Sequence, residues 1–295
     1  MRTFIALSIA LLTFTSCDNL VNGVVRDIEM PPHESQLAGS LFLDSRDSSL
    51  SALVSSSAGV YDTTRSRAVK DAQCRILQDG TPVYTWTTQD FQGNYVELLQ
   101  DRLGALSGTI TFEASHPDFE TVTATQVFPA APQVELDLTY AGTQLYGDVS
   151  DEMEITLKDL PGVNQHYIIS MDVHFRTALS GQDTSIYYDL YWETESPNTT
   201  QLWGKDNAVL VSENGVDRDI VITAATGVNP ITFGMLHEYR VKVQALSPEM
   251  YEFYRSYNSF TNAQNNPFAE PVILYSNMSN NMGCFGVSTS KVFFK

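Results

Sequence analysis

Apolar and polar residues alternate along most of the chain in short segments that end at turn residues. The clearest case is residues 134–140, where Val134, Leu136 and Leu138 occupy every second position. This spacing puts apolar side chains on one face of an extended chain and predicts half-buried β-strands. The predicted strands are residues 36–43, 72–77, 83–87, 93–98, 108–114, 122–127, 134–140, 153–157, 167–175, 187–192, 208–211, 219–222, 238–246 and 285–294.

Together these segments predict a mainly β fold with two tandem β-sandwich domains of the immunoglobulin or fibronectin type. The first domain is expected at residues 35–142 and the second at residues 143–295. The polar, Ser-rich residues 44–66 interrupt the first series and are expected to form a long loop.

One short helix is predicted at residues 248–262, directly after the last strand of the second series. Ser247 is suited to cap it and Pro248 to begin its first turn. Apolar side chains then recur at helical spacing, which favours packing against a sheet over an exposed recognition face. These residues are Met250, Phe253, Tyr254, Tyr257 and Phe260.

An apolar run at residues 4–14 lies between Arg2 and the small residues that precede Cys17. The run is too short for a permanent membrane span and is typical of a secretory signal. Thr15-Ser16-Cys17 resembles a bacterial lipobox, so we expect residues 1–16 to be a signal peptide and Cys17 to be lipidated. Residues 17–34 are then a flexible tether; the alternative is an ordinary cleaved signal with a free Cys17.

Charge and cysteine content narrow the possibilities further. The formal net charge is −18 at pH 7, which opposes binding to phosphate backbones and excludes a nucleic-acid-binding protein. Besides Cys17 the chain has Cys74 and Cys284, for which we expect two free, buried thiols. Pairing of the two in an oxidising compartment stays open.

Motifs for catalysis are missing from the sequence. There is no nucleophile elbow, phosphate-binding loop or dinucleotide fingerprint, and no histidine pair has the helical spacing of a zinc protease. Four acids cluster at Asp148, Asp151, Glu152 and Glu154, but without the regular spacing of a calcium loop they are expected to form a solvated rim. We therefore expect no catalytic residue, no metal and no cofactor.

Three tryptophans are the candidates for stacking on a ligand such as a glycan: Trp86, Trp192 and Trp203. Indole rings provide flat apolar faces that suit such stacking. Burial in the core of a sandwich is the alternative for each of them.

The C-terminal tail carries a motif that resembles a known family. Its elements are Asn-Pro-Phe at residues 266–268, Ser-Asn at residues 276–277 and Gly-x-Phe-Gly at residues 283–286. This series is similar to the closing signature of the Bacteroidetes lipoprotein family called domain of unknown function 4249. The motif residues are candidates either for binding a partner or for fastening the helix to the second domain, which we favour: Asn266, Pro267, Phe268, Pro271, Asn277 and Phe285.

The resemblance implies an envelope lipoprotein of the kind often found beside TonB-dependent outer-membrane transporters, without an established activity. We therefore expect a lipid-anchored outer-membrane protein that acts as a non-enzymatic binding or accessory subunit for such a transporter. The alternative is a surface lipoprotein that captures a glycan or other ligand with exposed aromatic side chains. Which face of the membrane it occupies stays open.

Overall fold

The fold is mainly β, as the alternation predicts, with one helix near the C-terminus in the part that the structure describes. The computed structural model describes residues 33–46, 49–59, 68–88, 94–98, 106–160, 164–176, 187–202, 204–205, 207–213, 218–228, 236–264, 266 and 268–295. Residues 35–295 form one compact unit. No helix among the described residues is long and apolar enough to cross a membrane.

Most of the strands coincide with the predicted segments to within a few residues. The described residues contain β1 (Leu37–Asp44), β2 (Ser49–Ser56), β3 (Gln73–Gln78), β4 (Thr81–Thr87), β5 (Asn94–Leu98), β6 (Thr109–His116), β7 (Phe119–Val127), β8 (Val134–Leu145), β9 (Asp148–Leu157), β10 (His166–Arg176), β11 (Tyr188–Asp189), β12 (Trp192–Thr194), β13 (Thr199–Gln201), β14 (Ala208–Ser212), β15 (Ile220–Thr226), β16 (Leu236–Leu246) and β17 (Phe285–Phe294).

These strands form three sheets within the described residues. The largest has nine strands in the order β13-β14-β10-β16-β17-β1-β2-β5, with β11 paired to β10. Two four-stranded sheets have the orders β4-β3-β6-β7 and β12-β15-β9-β8. Among the described pairings, β1 with β17 is parallel and the others are antiparallel.

Two hydrophobic cores lie between the large sheet and the two small ones. Leu41 and Leu50 of the large sheet pack with Ile76 and Phe112 of the first small sheet. The second core joins β10, β14 and β16 to β9, β12 and β15 in the same manner. Side chains of alternating strand positions therefore fill each core, which is the arrangement of a sandwich.

The last strand, β17, belongs to both halves of the molecule. Phe285 and Val287 at its start lie in the first core, whereas Phe293 near its end packs against the second. The boundary predicted at residues 142/143 falls inside β8, and the large sheet takes strands from both sides of it.

The prediction of a long loop at residues 44–66 is wrong in part, because β2 lies within it. Leu50, Ala52 and Val54 alternate there and are almost fully buried in the first core. Leu53, which has the opposite parity, is 42% exposed, so the Ser-rich composition conceals an ordinary period-two strand.

The helix, α1 (Pro248–Gln264), lies on the outer face of the large sheet, opposite the cores. Ser247 caps it as predicted, since its hydroxyl accepts a hydrogen bond from the Met250 amide at 3.4 Å. Met250 is buried, and Phe253 packs on Phe42 of β1 with ring centroids 5.0 Å apart. The predicted apolar stripe therefore packs on the sheet.

Cys74 and Cys284 are free and buried, which confirms the prediction for both. Burial raises the pKa of the Cys74 thiol to about 12, because desolvation disfavours the thiolate. The same effect raises the pKa of Cys284 to about 12. Neither thiol is therefore a reactive nucleophile at neutral pH.

The approach of the tail to β1 depends on Gly283, and replacing it tests how tightly β17 is inserted. Its φ is +98°, and a Cβ at this position would overlap the carbonyl oxygen of Gly39. Gly283→Ala should lower the free energy of unfolding by about 2–5 kcal/mol, since left-handed strain and overpacking add. Urea denaturation measures this loss.

Gly80→Ala is the matched control, because Gly80 also has a positive φ (+80°) but nothing within 4 Å of the added Cβ. It should cost about 1–2 kcal/mol, which is the left-handed strain alone. Equal losses in the two variants would contradict the close approach of Gly283 to β1.

Candidate functional site

Two of the candidate tail residues fasten the last strand to the body. The Asn277 side chain donates a hydrogen bond to the Phe285 carbonyl at 2.8 Å and accepts one from the Phe285 amide at 2.9 Å. The Phe285 ring is fully buried in the first core. Asn277 and Phe285 therefore hold the tail to β17 and the first core, whereas the sequence analysis expected the tail to fasten the helix to the second domain.

The preceding part of the tail is exposed instead. Phe268 and Ile273 are 93% and 90% exposed, and Pro271 is exposed between them. Asn266 shapes the start of this segment, because its side-chain oxygen accepts a hydrogen bond from the Phe268 amide at 3.0 Å. We call residues 268–274 the tail ridge. Pro267 and Cys17 lie outside the described residues.

The prediction that Trp86 and Trp192 stack on a ligand is wrong, because both indoles are buried. Trp86 stacks on Phe112 in the first core, with ring centroids 6.2 Å apart. Trp192 is completely buried in the second core, and its indole nitrogen donates a hydrogen bond to the Asn207 carbonyl at 2.9 Å. Trp203 lies outside the described residues.

The acidic cluster of β9 is split between the two faces of its sheet. Asp151 is fully buried, where it accepts hydrogen bonds from the Tyr239 hydroxyl at 2.7 Å and from the Ala141 amide at 2.8 Å. His237 approaches the same carboxylate at 2.8 Å. The expected solvated rim is therefore wrong for Asp151, which instead joins β8, β9 and β16.

Exposed aromatic side chains lie elsewhere, beginning at the turn between β8 and β9. Leu145 pairs with Asp148, so Tyr146 and Gly147 form a two-residue hairpin loop. Both have positive φ, +54° and +88°. This geometry matches the type I′ turn, whose positions favour Gly and Asn over a bulky aromatic residue. The Tyr146 side chain is 78% exposed.

Tyr146 is held against a second exposed tyrosine and a carboxylate. Its hydroxyl lies 2.8 Å from the Tyr191 hydroxyl, and the two rings are nearly parallel, with centroids 6.4 Å apart. Both hydroxyls donate to the same carboxylate oxygen of Glu193. We call Tyr146, Tyr191 and Glu193 the tyrosine platform.

The hydrogen bonds of the platform shift two pKa values in opposite directions. The pKa of Tyr191 is raised above its ordinary value, mostly by the hydrogen bond to Glu193 and to a smaller extent by the interaction with Tyr146. The hydrogen bonds from Tyr146 and Tyr191 lower the pKa of Glu193. An ionised Glu193 and a neutral Tyr191 therefore coexist over a wider pH range than the ordinary pKa values of the two side chains would allow.

The platform borders a groove of about 650 Å³ on the outer side of the sheet β12-β15-β9-β8. This volume lies in the range of small-ligand sites. Its charged lining residues are all acidic, and the others are neutral polar residues, Leu145, Ala225 and the Tyr191 ring. The residues that bear on its chemistry are Thr143, Gln144, Glu152, Tyr191, Glu193 and Glu195.

Sequence reasoning missed the platform because its three residues are separated along the chain. One local feature points to it: Tyr146-Gly147 lies between two alternating segments, where a tight turn is expected and an aromatic residue is unusual. The proximity of Tyr191 and Glu193 to that turn depends on β12 belonging to the same sheet as β8 and β9, which no local sequence pattern indicates. Among the described residues no group of His, Cys, Asp or Glu is arranged to hold a metal ion.

Comparison with protein families finds one match over most of the chain. The model described as "Domain of unknown function (DUF4249)" matches residues 27–292. A search of curated proteins finds no match.

Two solved structures show weak resemblance. A point mutant of Salmonella alpha-2-macroglobulin is 15% identical over 75% of this chain, with a TM-score of 0.25, and the chain spans only 14% of that protein. The collagen adhesin CNA from S. aureus is 9% identical, with 89% of this chain and 94% of the adhesin covered and a TM-score of 0.20.

Removing the charge of Glu193 tests the platform directly. Glu193→Gln should lower the pKa of Tyr191, because a neutral amide no longer opposes formation of the tyrosinate. The titration can be followed by NMR of tyrosine labelled at the ring carbon that bears the hydroxyl. The Tyr191 resonance is identified by its loss in Tyr191→Phe.

Glu195→Gln is the control, since Glu195 lines the same groove without contributing to the Tyr191 shift. It should leave the titration midpoint of Tyr191 unchanged. An unchanged midpoint in Glu193→Gln as well would contradict the hydrogen-bonded platform.

Proposed function

We propose that this chain, which belongs to the family described as Domain of unknown function (DUF4249), is a lipid-anchored, non-enzymatic accessory protein of the outer membrane. In this proposal it binds an outer-membrane protein, a TonB-dependent transporter, through its tail ridge. The observation that carries the proposal is the exposure of Phe268 and Ile273 in an ordered segment.

Lipid anchoring rests on the amino-terminal sequence. The apolar run at residues 4–14 ends at small residues that precede Cys17, as in a lipobox. A multiply acylated cysteine anchors a protein more firmly than a single chain does, so no membrane-spanning segment is needed. The acidic net charge adds no attraction to an anionic membrane surface, so fatty acyl chains would supply the attachment.

The tail ridge suits a protein partner because its apolar side chains are presented on a fixed backbone. At one end Asn266 bonds the Phe268 amide, and at the other the Tyr275 amide donates to the Ser256 hydroxyl of α1 at 2.9 Å. Fixing a segment in advance reduces the entropy lost on binding. Large apolar side chains in such positions are typical of interface anchors.

The location of the ridge also fits an anchored protein. The following tail turn, residues 276–284, bonds the start of β1, where the Asn280 side chain donates to the Leu37 carbonyl at 2.7 Å. The chain enters the compact unit at Ser35, two residues before that carbonyl. The ridge is thus attached close to the residue at which the compact unit begins, to which a lipidated tether would be joined along the chain.

The body itself is best described as two β-sandwiches of the immunoglobulin or fibronectin type that share one sheet. The two separate cores support this description, and the continuity of the large sheet modifies it from a tandem arrangement. A shared sheet would hold the tail ridge in a fixed position relative to the rest of the protein.

Direct capture of a glycan is the second candidate function, and the tyrosine platform favours it. Trp86 and Trp192 are buried, but Tyr146 and Tyr191 offer exposed aromatic faces beside a groove of about 650 Å³. Aromatic faces of this kind stack on apolar surfaces of ligands. Capture and partner binding use different parts of the surface, so each can be tested without the other.

Replacing Cys17 tests the anchor. In Cys17→Ser cells the protein should move from the sedimented membrane fraction to the soluble fraction, because serine cannot receive the thioether-linked lipid. Cys74→Ala, which removes a buried thiol of the body, should leave the protein in the membrane fraction. Mass spectrometry of the wild-type amino-terminal peptide showing an unmodified Cys17 would refute lipidation.

Replacing the apolar side chains of the ridge tests the partner surface. Phe268→Ser with Ile273→Ser should reduce recovery of the transporter from detergent-solubilised membranes about tenfold or more, as loss of interface anchors does. The melting temperature should not change, because both side chains are exposed. Val127→Ser is the control, since Val127 is 60% exposed on β7 and lies outside the ridge.

Cross-linking locates the contact in the same experiment. Benzoylphenylalanine at position 268 should form a photo-cross-link to an outer-membrane transporter, whereas the same probe at position 127 should not. Equal cross-linking at both positions, or recovery of the transporter with the double variant at the wild-type level, would exclude the ridge as the contact.

A further inference from the structure

Tyr146 occupies a backbone conformation that its side chain disfavours. Its φ of +54° lies in the left-handed region, where Gly, Asn and Asp are tolerated and a bulky aromatic residue is uncommon. Three of the other non-Gly residues with positive φ in the described part are Asp71, Asp79 and Asn281. The hairpin does not need tyrosine at this position, so the strain calls for another explanation.

The strained position presents the Tyr146 ring to solvent in a fixed orientation. Its hydroxyl donates to Glu193 and lies 2.8 Å from the Tyr191 hydroxyl, so an exposed side chain that would otherwise sample several rotamers is held in one. Tyr191 is fixed through the same carboxylate and is 42% exposed. Two aromatic rings are therefore ordered before any ligand arrives, which is the usual property of a binding surface.

The charged groups of the groove beside these rings are all hydrogen-bond acceptors, while its Thr and Gln side chains can both donate and accept. Glu152 and Glu195 add carboxylates to that of Glu193, and Gln144 adds an amide oxygen. Neither Lys nor Arg lines the groove, so phosphate, sulfate and uronic-acid groups would meet only negative charge. A ligand that fits must donate hydrogen bonds and present an apolar face to the rings.

The choice between a neutral and a cationic ligand depends on Glu193. The carboxylate nearest the rings already accepts two hydroxyl donors, so it is satisfied without a cation. A pyranose has an apolar C–H face for stacking on a tyrosine ring and hydroxyl groups that donate to carboxylates. These properties match the rings and the acceptors of the groove together.

We infer that the groove lined by Tyr191 and Glu193, beside which these two residues hold the Tyr146 ring, binds a neutral saccharide. The aromatic rings stack on its C–H face, and Glu152 and Glu195 accept hydrogen bonds from its hydroxyl groups. This inference gives a site and a ligand class to the second candidate function and rests on it, while the tail ridge takes no part.

An array of neutral, uronic-acid-containing and sulfated oligosaccharides, with arginine-rich peptide as a cationic probe, tests the ligand class. The wild-type protein should bind neutral oligosaccharides and not the anionic ones. Calorimetric titration with the neutral oligosaccharide bound best should show about tenfold weaker binding for Tyr191→Ala, the usual scale for losing an aromatic contact. Tyr188→Ala is the control, since Tyr188 is 54% exposed but neither lines the groove nor belongs to the tyrosine platform.

Tyr146→Asn separates recognition from structure. Asparagine suits the turn, so the melting temperature should stay the same or rise while saccharide binding falls about tenfold. Absence of binding to every neutral oligosaccharide, binding to the cationic peptide instead, or equal loss in Tyr188→Ala would overturn the inference. If any of those outcomes occurs while the photo-cross-link at position 268 still forms, saccharide binding by the groove is refuted and the proposed transporter contact is not.

Discussion

The parallel pairing of β1 with β17 is the constraint on which the rest of the structure depends. Leu41 aligns with Phe285, and the Leu41 amide donates to the Cys284 carbonyl at 3.0 Å. On its other side β17 pairs with β16 over seven residues, from Arg240 to Leu246. Without the last strand, both cores would lose side chains and the large sheet would divide into two pieces with open edges. The beginning and the end of the compact unit must therefore meet before either half is complete.

This constraint explains the division of the tail motif. The residues that align β17 are packed closely against the body. Asn277 makes two hydrogen bonds with the Phe285 backbone, and Gly283 lies directly against the Gly39 backbone. Residues 268–274 precede this turn and contribute little to either core. The same motif thus contains one part that the fold requires and another that the fold merely holds in position. Only the second part is free to serve a partner.

Local pattern predicted much of the fold because a strand with one buried face must alternate. Val134, Leu136 and Leu138 are an example, since all three pack on the second core as their spacing predicts. The prediction failed at β2, because the high serine content of this segment favoured a loop although Leu50 and Val54 are buried. The local pattern could not predict the pairing of β1 with β17. Ser40 and Cys284, which meet there, are 244 residues apart, and no local feature of either strand indicates which strand it pairs with.

The site was harder to predict than the fold for a related reason. The flat faces of tryptophan side chains favour them as ligand-stacking residues. Large aromatic rings also fill a core efficiently, however, and Trp86 and Trp192 are buried. The exposed rings come from Tyr146 and Tyr191, whose roles depend on a turn geometry and on the order of strands in a sheet. The resemblance in the tail predicts the family correctly because the three elements of its motif lie close together along the chain.

Two features depart from what the fold itself needs, and they lie on different elements. Tyr146 adopts a strained turn conformation where asparagine or glycine would suffice, and Phe268 and Ile273 expose apolar surface where polar residues would be more soluble. Both belong to one compact unit built on a continuous sheet, so their separation is set by β-structure rather than by a flexible linker. If the first holds a saccharide and the second a membrane protein, the sheet would keep the ligand at a high local concentration beside the partner without any conformational change.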